Sequence, residues 1–203
     1  VTHWPDILAF LMLQNSVYLA KPNDAVNAQG RNLAADALRY YTAFVAQDKI
    51  WDETLPNDIV AFANGKVAMI IAPSWEVFQI QALNSQLDFS IHPIPQLTAS
   101  RQINWASYWV EAVSEHTRYP QESWQFLKYI SSSPALQIAY AEASKSRAFG
   151  ELYPRKDMAG LLDKANYVKS FIQQASSSQS WYMSSRTGDN GINDEIINYY
   201  QDA

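Results

Sequence analysis

The chain has 203 residues, 48% apolar and 17% charged, with a net charge of −5, which suits one large or two small domains with a filled core and excludes a disordered chain. No basic stripe runs through it, which argues against nucleic acid as the main partner, and cysteine is absent, which excludes disulfides and thiolate metal sites. No apolar run reaches the ~18 residues a membrane span needs.

The opening residues carry no signal-peptide pattern and enter as though something upstream had been cut away. Pro5, with Ile7, Leu8, Leu11 and Met12 at helical spacing, predicts a helix from about Trp4 to Asn15. A polar connector covers 21–30. Leu33, Ala34, Ala37, Leu38, Tyr41, Phe44 and Val45 then repeat at three and four residues, an amphipathic helix. A short apolar helix carrying Ile59, Val60 and Phe62 stops at Asn64-Gly65, a left-handed helix end.

The wholly apolar run from Val67 to Ala72 reads as a strand buried on both faces. It leads into Pro73-Ser74-Trp75 and a helix over Glu76–Leu83. Leu87 to Ile91 reads as another strand, and Pro93 with Pro95 breaks it into a crossover. Trp105 to Val113 resembles a third strand. Helices are predicted from Pro120, from Ser133-Pro134, over 157–164, over 167–175 and from Ile192 to Tyr200, and 144–157 is irregular. Strands mixed with helices indicate an α/β fold. In open α/β sheets ligands bind outside the carboxyl ends of strands, which is where Trp75 stands.

Ala61-Phe62-Ala63-Asn64-Gly65-Lys66-Val67-Ala68-Met69 followed by Pro73-Ser74-Trp75 resembles the F-x-x-G-K-x-A-M … W signature of extracellular solute-binding protein family 1 of ABC importers, the maltose-binding-protein-like branch that carries sugars and oligosaccharides. The likeness continues in order. Asp88 to Pro95 is similar to the family's strand and crossover, and Ser107-Tyr108-Trp109-Val110-Glu111-Ala112-Val113-Ser114 to its G-G-W-x-x-x-I-S strand entry. Pro120 to Ile130 is similar to its P-E-x-A-W-x-F-L-K-x-L helix. Gly150 to Asp157 and Trp181-Tyr182 also fit. The family's paired glycines are Ser107-Tyr108 in this chain, and family members are about twice as long. The resemblance therefore implies a C-terminal fragment with a class II periplasmic-binding-protein-like fold. Residues 1–93 and 155–203 would form the second lobe, and 97–150 a helix-rich returning segment of the first lobe. It further implies a carbohydrate ligand, ABC permease subunits and the missing N-terminal lobe as partners, no cofactor, and a periplasmic or extracellular place with a possible lipid anchor.

Each candidate residue carries a functional and a plain structural reading. Trp75 either stacks on a sugar ring, whose C–H bonds suit the negative aromatic face, or anchors the following helix to the sheet. By the resemblance Trp181 forms a second wall of the cleft, against a plug on the lobe surface; Tyr182 reads as the plug. Tyr108 and Trp109 alternate along the expected strand, so one of them faces the cleft. Arg186 offers paired hydrogen bonds to hydroxyls or a carboxylate, against a solvated loop arginine. Glu76 either accepts from sugar hydroxyls or simply favours the helix dipole. Trp4, Trp51 and Trp124 lie in apolar patterns and read as core.

Catalysis finds little support. His3, His92 and His116 have no metal-like spacing, no G-x-S-x-G occurs, and no pair of carboxylates stands out as a glycosidase site. Asp189-Asn190-Gly191 lacks the alternate ligands of a calcium loop and reads as a turn with a helix cap. The competing reading is a glycan-processing enzyme domain or a surface glycan-attachment module.

Overall fold

A computed structural model describes residues 1–18, 25–108, 110–146, 152–162, 167–180 and 191–203. Helix α1 (Trp4–Gln14) starts with proline in its first turn, where the missing N–H is not needed. Ile7, Leu8, Ala9, Phe10, Met12 and Leu13 are all buried, so this helix is apolar around most of its circumference and central. Helix α2 (Leu33–Ala46) is capped by Asn32, whose Oδ1 accepts from the Ala35 amide at 3.0 Å. Helix α3 (Asp58–Ala63) uses Asn57 in the same way, accepting from Val60 N at 2.9 Å. It ends in a left-handed Gly65 at φ +67°. The Gly65 amide bonds Phe62 O at 2.9 Å and the Lys66 amide reaches back to Ala61 O at 2.8 Å, the paired closure of a Schellman motif. Helix α4 (Glu76–Leu83) packs on α3.

Two compact units are present. The first comprises Val1–Phe89, Pro93–Ser107 and Gln174–Ala203. Its core gathers Leu8, Ala9 and Met12 of α1, Val17, Ala34 and Ala37 of α2, and Ile197 of α8 (Ile192–Asp202). Full burial of a side chain such as Leu8 or Met12 contributes about 1.5–3 kcal/mol. Strand β1 (Asn104–Trp105) pairs in parallel with β2 (Ser178–Gln179), Asn104 opposite Ser178. Gln96 braces the approach to β1: its Oε1 accepts from Ile103 N at 2.7 Å and its Nε2 donates to Ile94 O at 3.0 Å.

The second unit comprises Ser90–His92 and Tyr108–Gln173. Helices α5 (Pro120–Ile130) and α6 (Ser133–Ser146) form a hairpin in which neither helix has a buried residue. A 3₁₀ helix (Lys156–Leu162) and α7 (Lys169–Ala175) follow, α7 ending within the first unit. Tyr140 stacks on Tyr153 with centroids 4.4 Å apart and donates to Leu152 O at 3.0 Å. Arg155 pairs with Asp157 at 2.8 Å and reaches Ser131 O at 3.3 Å.

The predicted helices appear with their boundaries nearly as read; the predicted strands do not. Residues 67–72, 87–91, 106–108 and 110–113 form no ladder, and of the described residues of the third strand only Trp105 lies in one. A strand exists through its neighbour's hydrogen bonds, and among the described residues the single two-residue pair is the only ladder. Met69 is 86% exposed, so the run read as buried on both faces is covered on neither at that point. Trp124, read as core, is also exposed. The helix-rich architecture with its small parallel sheet is compatible with an α/β binding-protein fold. Among the described residues no helix is long and apolar enough to cross a membrane.

Gly65 holds its positive φ with open space around the position of a β-carbon. Gly65→Ala is therefore expected to lower stability through backbone strain alone, by about 1 kcal/mol. Gly65→Asn should cost less, because asparagine tolerates the left-handed region. Urea unfolding of the two variants checks this ordering.

Candidate functional site

Pro73, Ser74 and Trp75 form the turn that launches α4. Their carbonyls accept from Glu76, Val77 and Phe78 N at 3.2, 3.3 and 3.2 Å, so the first free amides of the helix are used within the chain. Trp75 sits at the cap position without a side-chain cap bond, and its side chain stays 43% exposed. The His3 ring lies against it with centroids 5.9 Å apart and planes at 75°. This T-shaped contact suits the aromatic quadrupole and leaves part of the indole accessible.

Glu76, the first residue of α4, is 6% exposed. Its Oε1 lies 2.7 Å from His3 Nε2. Its Oε2 is buried without a hydrogen-bond partner among the described residues. On the other side of the imidazole, Nδ1 is 3.6 Å from Asp6 Oδ2. Asp6 Oδ1 accepts from the Trp105 indole N–H at 2.9 Å. A polar line thus runs from β1 through α1 to the first turn of α4. Asp58, the first residue of α3, is 3% exposed and accepts from both the amide and the hydroxyl of Thr2, at 2.8 and 2.6 Å. Both buried carboxylates stand at helix N-termini, where the dipole favours negative charge.

Asp6 beside the imidazole holds the His3 pKa above its ordinary value, partial burial works against it, and Glu76 adds to the rise. As a cation His3 serves both carboxylates at once. As a neutral ring it leaves Glu76 as a buried charge with a weaker donor. Among the described residues no group of three His, Cys, Asp or Glu side chains could hold a metal ion.

Of the residues predicted from sequence, Trp75 and Glu76 are adjacent, one exposed in part and the other enclosed. Tyr108 is 70% exposed in the second unit. Trp109, Trp181, Tyr182 and Arg186 lie outside the described residues. The sequence reading missed His3, Asp6 and Trp105. The spacing of His3 and Asp6 along α1 was visible as an i, i+3 pair, but the bond from His3 to Glu76 spans 73 positions and had no local signal.

A raised folded-state pKa means that folding takes up a proton between the unfolded value, about 6.5, and the folded one. The stability due to His3 is complete below about pH 6.5 and is lost as pH rises through the folded-state value. The urea midpoint is therefore expected to fall between about pH 6 and about pH 9, and to fall less in His3→Gln. Equal slopes for the two proteins would remove His3 from the account.

The model of the family described as bacterial extracellular solute-binding protein matches residues 2–159, well over half of the chain. No curated protein and no solved structure matches it. The matched span takes in the polar line from Trp105 to Glu76 and the turn carrying Trp75, and on that match the chain belongs to the family of bacterial extracellular solute-binding proteins.

Proposed function

We propose that the protein is the carbohydrate-binding subunit of an ABC importer, taking a sugar or oligosaccharide between two lobes and handing it to a membrane permease. The observation that carries this reading is Trp75, an indole at the start of α4 with part of its surface open and a T-shaped contact to His3. A pyranose ring stacks on such a surface through its C–H bonds, while its hydroxyls need polar partners. Family membership supports a small-molecule substrate, a transporter as partner and a place in the periplasm or outside the cell. A lipid anchor belongs to the same proposal.

The fold proposed is class II. In it 1–93 and 155–203 belong to the second lobe and 97–150 to the first, with the missing N-terminal lobe completing the clamshell. A chain that leaves one compact unit near residue 108 and returns to it at 174 supports such crossing. Trp181, Trp109 and Tyr108 are proposed as further aromatic walls, and Arg186 and Glu76 as polar contacts. Lobe closure would bury the ligand and create the surface a permease reads. No bond is made or broken in this reading.

One lobe supplies only part of the contacts, so this chain by itself is expected to bind sugars weakly or not at all. In a protein carrying both lobes, Trp75→Ala is expected to weaken sugar binding by about tenfold, near 1.4 kcal/mol, with the thermal transition unchanged. Calorimetry against a sugar panel, with a melting curve for each variant, tests both. Tight binding by the chain alone would overturn the two-lobe reading. Loss of the thermal transition in the variant would make Trp75 structural.

A further inference from the structure

We draw no further inference here: the strongest candidate, the exposed apolar side chains Trp124, Phe126, Tyr129 and Ile138 on the α5–α6 hairpin of the second unit, rests on exposure alone, and nothing in the structure shows what covers it.

Discussion

Two buried carboxylates set the architecture of the first unit. Asp58 and Glu76 each begin a helix, and each is almost wholly removed from water. An unpaired carboxylate in such a position is costly enough that the fold must supply donors. It supplies them from two consecutive residues, Thr2 to Asp58 and His3 to Glu76. The segment ahead of α1 thereby ties the first turns of α3 and α4 to the central helix. The helix dipoles add to the same effect, since each carboxylate meets the positive end of its own helix. Trp75 inherits its orientation from this arrangement, because the ring that bonds Glu76 is the ring it meets in a T-shaped contact.

The two units differ in how far they bury their apolar side chains. The first has a continuous cluster around Leu8, Met12 and Ile197. In the second, α5 and α6 leave Trp124, Phe126, Tyr129 and Ile138 each more than half exposed. Large apolar side chains left open to water would gain from being covered by further protein. Their exposure accords with the proposal that 97–150 belongs to a lobe completed elsewhere. The uncovered Met69 and the unpaired run at 67–72 carry the same signature, apolar residues patterned for a burial that the described residues do not provide.

Much of the local structure was legible from residue types. Proline opened α1 and α5 where it was expected, Asn32 and Asn57 capped α2 and α3, and Gly65 closed α3 in the left-handed region. These are short-range effects decided within a turn of helix. The Trp75 turn was legible for the same reason, and the family was legible because its motifs fall in order along the chain. The polar line through His3 was not legible, nor was the partial exposure of Trp51. His3 looked isolated because its partner Glu76 is far away in sequence, and Trp4 and Trp51 looked like core because apolar spacing says that a side chain is sheltered, not how completely.

The sequence by itself determined where helices start and stop, the left-handed closure at Gly65, and the solute-binding family. Each of these follows from steric and hydrogen-bonding preferences that act between residues a few positions apart, or from motifs written in order. Only the tertiary structure decided which apolar runs become strands, which tryptophans stay open, and which carboxylate a histidine serves. Ladders, burial and ion pairs belong to two segments at once, and no single segment of a chain states who its neighbour is.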